Sequence, residues 1–501
     1  MYKRACCAAF FYFPVVFVCI LLFRYTKLFL PLSQSTAFFR INFSPPYCSA
    51  LEAVAAATSA WALRWQMQPV RTSVRNFIAS GFPSKKLRYA RLVDVEECAS
   101  RPQFQKLLQS YLSDFFAKSH ENGSTGSSPW FTAVPPSLRN SVEETVNYLG
   151  MLVAIDFRHW GEDPPDATPT GSRVENICGF YAELPEGSAE TSGSVSYGGK
   201  RLIRGSMAMV HLLCRAVEVY HLNWHCPQFL QQFATTEDAM EALERCFLGY
   251  REDGHTSMWM PAARERVELL LSLSRSLVEK DTSFFKMLCL SEGYLYHPIF
   301  PHLGFVEMLV ELHPRYYDVC VLRGEVGGGK DSDQGDEIVI PMLKLAQLTV
   351  MAIEEAVSAM DTVAANTPNV TEAPFPFSGA HGVFKDKHHL TVCCDYQLPK
   401  ALRSLGLVEY DSYLASLVDT GVLLAAGGVE ECCIRVAALV ASDLLLDYLR
   451  SSCACTTGRE WRPESTSRVW DAPALDCMLW WIGRHYVDSA VKHHLCRTIM
   501  Y

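Results

Sequence analysis

An apolar run, Leu390-Thr391-Val392-Cys393-Cys394, ends on an acid, Asp395, and Tyr396-Gln397-Leu398-Pro399 follow at once. Proline fixes its own φ and lacks an N–H, so Pro399 fits the first turn of a helix and little else in such a setting. Leu402 and Leu405 give that helix a buried face, and Gly406 is placed to end it. The chain must therefore turn from an extended segment into a helix with a carboxylate at the junction. A carboxylate there can cap the helix. It can also face a cavity while packed structure on both sides holds it still. Spacing alone leaves both open.

Most of the remaining pattern is helical. Residues 72–116 carry apolar positions at three- and four-residue spacing through Phe104, Leu107, Leu108, Tyr111, Leu112 and Phe115. A helix is expected from Ser141, with Val146, Leu149 and Val153 on its buried face, leading to Ile155-Asp156-Phe157-Arg158-His159-Trp160. Further helices are expected over 206–219, 236–248, 262–278, 341–360 and most of 411–449, and a last one carries Leu475, Leu479 and Ile482. Residues 317–322 read as a strand or extended segment. Segments 161–199, 324–335, 362–382 and 451–471 are polar or rich in Pro, Gly, Ser and Thr, and read as surface excursions from one core, the first as a loop with short strands. The expected class is mainly α: a single helical domain over 67–501, with loop insertions and few short strands.

A chain of 501 residues, 49% hydrophobic, can bury a substantial core. Its formal charge of −9 argues against the broad basic surface needed to grip intact tRNA or DNA, though a local basic pocket is compatible with it. The 19 cysteines show no zinc-ligand spacing, since Cys453-x-Cys455 is too short for a Cys-x-x-Cys arm and has no matching pair. They read as small buried hydrophobes in a reducing compartment, and no metal or cofactor is expected. Gly324 to Lys330 superficially fits a phosphate loop, but Asp331 stands where Mg²⁺ binding needs Ser or Thr. It reads as a surface insertion.

Lys3 and Arg4 precede an apolar run over residues 5–23 that reads as a signal peptide or membrane anchor. The other reading is an upstream start, with the working protein beginning at Met67 as an ordinary cytoplasmic chain and residues 1–66 as an extension. The second is favoured. The sequons at Asn122 and Asn369 matter only in a secreted chain.

Phe384-Lys385-Asp386, Asp395-Tyr396-Gln397-Leu398-Pro399 and Leu405-Gly406, in this order, resemble the core signature of the queuosine salvage family. Upstream matches are Val146-Asn147, Asp156-Phe157 with Trp160, Met260-Pro261 with Glu265-Arg266, Pro314 with Tyr316 and Asp318-Val319, and Lys344 with Ala346-Gln347. Downstream come Glu431 with Ile434-Arg435, Leu475-Asp476 with Leu479-Trp480, and His494, Arg497, Ile499 and Tyr501. The resemblance runs from about Val70 to the last residue. Members of this family are queuosine 5'-phosphate N-glycosylases, which release the 7-deazaguanine base queuine, and their fold resembles the helix-hairpin-helix DNA glycosylases.

The resemblance implies that Asp395 and Lys344 are the catalytic pair, with Lys344 orienting Asp395, lowering its pKa or supporting the leaving group. It also implies a substrate-binding set. Phe157 and Trp160 are placed to stack on the flat base, and Arg435, His494 and Arg497 to take the 5'-phosphate. Asp386 is equally a substrate ligand or a cap, and Asp156, Lys385, Tyr396, Glu431 and Asp476 complete the set. Asp156 stands where the family usually has Asn, and an ionised Asp accepts hydrogen bonds without donating. Cys433 and Leu495 are further departures, standing where the family has a second acid and an Arg. The expected partner is a small molecule, queuosine 5'-phosphate, with no direct nucleic-acid binding and a membrane only if residues 5–23 are retained. The rival function is a membrane-anchored helical nucleotide- or nucleoside-binding protein without turnover.

Overall fold

The computed structural model describes residues 68–501 except 82, 84–86, 122–128, 185–194, 198–199, 300, 324–336, 367–381 and 456–469. The apolar run at 5–23, the Met67 start, both sequons and the glycine-rich 324–335 segment lie outside the described residues. Among the described residues, no helix is long and apolar enough to cross a membrane.

The structure is mostly helical with short strands. The helices that build the site are α1 (Val70–Ala79), α2 (Val142–Ala154), α3 (Ser206–Glu218), α4 (Ala263–Glu279), α5 (Lys344–Asn366), α6 (Gln397–Ser404), α7 (Val429–Cys455) and α8 (Ala472–Trp481). Their starts follow local chemistry. Ser141 caps α2, its side chain accepting from the Glu144 N–H, with Glu143 and Glu144 in the first turn where the helix dipole favours acids. Asp471 caps α8 in the same way, accepting from Ala474. Pro399 lies in the first turn of α6, and Gly406 follows its end with φ 79°, as its placement in the sequence requires.

α5 packs along α2, and α7 packs against α1, α6 and the strand Val319–Arg323. The core they share is continuous, with Tyr148, Leu149, Leu152, Val350, Ile353, Val357, Val436, Leu439 and Val440 all buried in it. Gly150 sits inside α2 because the Phe284 ring lies on the backbone there. A Cβ at that position would fall 2.2 Å from the ring, so Gly150→Ala should break this contact.

Two features depart from the helical expectation. Residues 72–116 do not form one helical run: the chain turns at Gly81, which has φ 68°, and Ala90–Leu92 pairs antiparallel with Val408–Tyr410. That pairing joins segments over 300 residues apart, so no local pattern signals it. Strands are also more numerous than expected. A five-stranded antiparallel sheet runs in the order Val195–Tyr197, Lys200–Arg204, Tyr181–Glu183, Leu248–Tyr250, Ser257–Trp259. Lys200–Arg204 runs through Gly205 into α3, and the hairpin Val319–Arg323 with Glu337–Pro341 runs into α5. Leu423–Leu424 pairs parallel with Leu495–Cys496 and fixes the C-terminal segment.

Candidate active site

Three backbone segments converge on one cavity, and buried polar side chains hold each of them. The first is the turn after α2. Arg315 Nε donates to the Ala154 carbonyl at 2.8 Å, while Arg266 donates to the Phe157 carbonyl and, at 3.2 Å, to that of Arg158. The second is the turn into α5, where the Met342 and Leu343 N–H groups donate to the Asp318 carbonyl at 2.9 and 3.0 Å. The Asp318 carboxylate accepts from the Lys344 N–H at 3.3 Å. Leu343 is held at φ 46°, a conformation costly for a branched side chain, which sets Lys344 at the first position of α5. The third is the run into α6. Gln347 clamps Thr391, its Oε1 accepting from the Thr391 N–H at 2.8 Å, and Asp476 Oδ1 accepts from the Cys393 N–H at 2.6 Å.

The cavity is lined by Asp156, Phe157, His159, Ser206, Lys344, Asp395, Tyr396, Gln397, Trp480, Arg484 and Tyr501. Lys344 Nζ donates to Asp156 twice, to its carbonyl at 2.8 Å and to Oδ2 at 3.0 Å. Asp156 Oδ1 bonds His159 Nε2 at 2.9 Å. Asp395 does both things its position allows. Its Oδ1 accepts from the N–H groups of Gln397 and Leu398 at 2.6 and 3.1 Å, closing the start of α6, while the same carboxyl group lines the cavity.

These surroundings push the two acids apart. Burial opposes ionisation of Asp156, but Lys344 and His159 more than offset it and hold the carboxyl well below the ordinary carboxylate range. Asp395 is raised to about 6, because burial outweighs Lys344 and the two backbone donors, with Asp156 adding repulsion. Asp476 is raised to about 7, by burial and by Asp395. Burial also lowers His159, despite its bond to Asp156. The cavity thus holds one carboxylate fixed as an anion by a lysine and one that changes charge near neutrality, a division suited to acid–base work.

Several sequence-based expectations need correction. Lys344 is hydrogen-bonded to Asp156, not to Asp395; it does lower Asp395, as expected, but burial outweighs it and the net shift is upward. Phe157 reaches the cavity, but Arg266 and Arg315 lie over its ring at 4.1 and 4.8 Å and it is 1% exposed, so the ring is committed to cation–π packing. Trp160 packs with Val174, Leu423, Leu495 and Tyr501, off the cavity wall. The aromatic groups that line the cavity alongside Phe157 are Tyr396, Trp480 and Tyr501.

The expected phosphate ligands are occupied elsewhere. Arg435 forks onto both oxygens of Asp318, at 2.8 and 2.6 Å, and stacks over Tyr501 at 4.2 Å. Glu431 lies 3.5 Å from the same guanidinium. Arg497 pairs with Glu162 and, at 3.3 Å, with Asp166. His494, pushed down to about 3 by burial, is neutral and bonds the Tyr501 hydroxyl at 3.1 Å. Asp386 accepts from the N–H groups of Leu295 and Tyr296 at 2.7 and 3.1 Å, and exposed Lys385 lies over Tyr294 at 4.5 Å. Asp476, as above, holds Cys393. Arg435→Met should therefore act on the fold: leaving Asp318 and Glu431 buried without their cation costs about 3–5 kcal/mol. Chemical denaturation would measure that loss, and the Arg435→Met, Asp318→Leu double variant should regain part of it.

His159, Ser206, Gln397, Trp480, Arg484 and Tyr501 were not among the expected site residues. Gln397, Trp480 and Tyr501 belong to the matched motifs, which was a usable signal. Arg484 and Ser206 reach the cavity only through the packing of distant segments, and no local pattern marks them.

Residues 371–501 match the family model described as Queuosine salvage protein. Over these residues, about a quarter of the chain, the sequence is similar to the queuosine salvage family. The matched residues include Asp395, Asp476 and Arg484, while Asp156 and Lys344 lie upstream of them. Among curated relatives in the salvage family, the chain is similar to the queuosine 5'-phosphate N-glycosylase/hydrolase of Bos taurus, 26% identical over 248 residues, which is 49% of this chain and 60% of that protein. It is also similar to the protein of the same name from Dictyostelium discoideum, 27% identical over 120 residues, 24% of this chain and 33% of that one. The similarity to this chain thus spans a third to three fifths of the length of these relatives.

Proposed function

We propose that this chain hydrolyses the N-glycosidic bond of queuosine 5'-phosphate, releasing queuine and ribose 5-phosphate. The observation that carries this reading is the cavity in which Asp395, Lys344 and Asp156 meet beside Tyr396, Trp480 and Tyr501. Breaking the bond from ribose C1' to the base nitrogen builds positive charge on the sugar, as in other glycosyl transfers. Ionised Asp395 offsets that charge and takes a proton from the water that adds to C1'. Lys344, fixed by Asp156, is the ammonium on the cavity wall that stabilises negative charge on the departing base. The aromatic side chains give the flat base an apolar wall. The names of the Bos taurus and Dictyostelium discoideum relatives support the same substrate.

On this reading the described core is one helical domain beginning near Met67, with a fold of the helix-hairpin-helix glycosylase type, working in the cytoplasm on a free nucleotide. Incubating the purified chain with queuosine 5'-phosphate and resolving the products by chromatography tests the activity. Intact nucleotide after long incubation with stoichiometric protein would reject it.

The charge state of Asp395 makes a second test. It acts as an anion and holds its proton up to about 6, so activity requires pH above that value. kcat/KM should fall about tenfold per pH unit below the limb and level off above it. Asp476 titrates beside it, so the limb reports the pair. A profile flat down to pH 4.5 would contradict the assignment of Asp395.

A further inference from the structure

We propose that Arg484, together with the first turn of α3 at Gly205 and Ser206, holds the 5'-phosphate of the substrate and sets the preference for nucleotide over nucleoside. This rests on the hydrolase reading above for its substrate, while the anion seat stands on its own geometry.

With Arg435 and Arg497 matched to acids and His494 neutral, the cavity needs another group to receive a phosphate dianion. Arg484 lines that cavity with Asp395 and Lys344. Its guanidinium lies over the Trp480 ring at 5.3 Å and donates to the Arg204 carbonyl at 3.3 Å. Among the described residues it has no carboxylate partner. Arg204 and Lys400, close enough to act on it or on each other through charge, also lack an ion pair among the described residues. Burial and Arg204 lower both Arg484 and Lys400 from their ordinary values, with Asp488 the acid that opposes this at Lys400. In a chain of net charge −9, a cation on the cavity wall without a carboxylate partner, with further unpaired cations nearby, is suited to an anion.

The backbone opposite Arg484 has the same preference. Ser206 lines the cavity as the first residue of α3, a 13-residue helix, and the first N–H to bond back is that of Met209, to the Gly205 carbonyl at 3.1 Å. The N–H groups of Ser206, Met207 and Ala208 precede it and have no acceptor within the helix. Gly205 precedes the helix at φ 65°, and a Cβ there would stand 3.6 Å from Arg484 NH1. The helix start and the guanidinium are therefore neighbours on the cavity wall. A guanidinium close to free helix N–H groups is a setting for the oxygens of a phosphate.

The test compares the full chain and its Arg484→Met and Arg484→Lys variants on queuosine 5'-phosphate and on queuosine. The ratio of the two kcat/KM values should fall about 10–100-fold in Arg484→Met, the weight of a charge-assisted contact, and recover in part in Arg484→Lys. An unchanged ratio overturns the proposal. In wild-type protein, inorganic phosphate or ribose 5-phosphate should protect Arg484 from phenylglyoxal, mapped by mass spectrometry. Modification at the same rate with and without these ligands also overturns it. The protection arm needs no turnover and no variant. If the chain hydrolysed neither substrate but phosphate shielded Arg484, the reaction would be wrong and the anion seat right.

Discussion

Asp395→Asn should lower turnover of queuosine 5'-phosphate by at least about 10²–10⁴-fold, the range for loss of a general base, with lost charge stabilisation adding to it. KM should move much less, since the carboxylate acts mainly in the transition state. The same change should stabilise the protein at pH 7.5. The Asn carbonyl still accepts from the Gln397 and Leu398 N–H groups, so the start of α6 survives. What disappears is a carboxylate that burial makes costly. The folded protein binds the Asp395 proton more tightly than the unfolded chain does, the carboxyl being raised from 3.8 to about 6. Its contribution to stability is therefore full below the unfolded pKa and is lost as pH rises through about 6. The variant escapes that loss, a gain on the order of 1–3 kcal/mol at pH 7.5 that vanishes at and below about pH 4. Thermal melts of both proteins at the two pH values check it. A variant that is inactive and also less stable at pH 7.5 would point to a purely structural Asp395.

Lys344→Met should damage both chemistry and fold. Removing the cation beside the departing base should slow turnover about 10²–10³-fold, the scale of losing one preorganised electrostatic donor. It also strips Asp156 of its ammonium inside a buried site, where breaking an ion pair costs about 3–5 kcal/mol. Its two bonds to Asp156 tie the lysine to the fold as well as to the chemistry. The acid limb of kcat/KM should also move upward, since Lys344 is the cation that lowers Asp395. The Lys344→Met, Asp156→Asn double variant should regain stability without regaining turnover. If the single variant melts and turns over like wild type, Lys344 has neither role.

Much of the site was legible because its chemistry is local. Asp395 at the end of an apolar run, Pro399 in the first turn and Gly406 after the last required a carboxylate at a helix start whatever surrounded it. Lys344, Asp156 and Tyr396 were found through matched motifs, and they do line the cavity. Most of the other matched polar residues, Asp318, Gln347, Asp386, Glu431, Arg435, Asp476 and Arg497, spend their hydrogen bonds on backbone or on buried ion pairs. A sequence shows that a charged residue recurs in a motif but not whether its partner is another side chain or a ligand.

Helix periodicity, caps, the turn at Asp395 and the absence of zinc-ligand spacing were fixed by residues near one another in the chain, whose physics needs no tertiary context. The partner of Lys344, the direction in which Asp395 shifts, the commitment of Arg435 to Asp318 and the exposure of Arg484 to the cavity were decided only by the tertiary structure. Each depends on the distance between groups far apart in the chain and on how much water reaches them, and both are properties of packing.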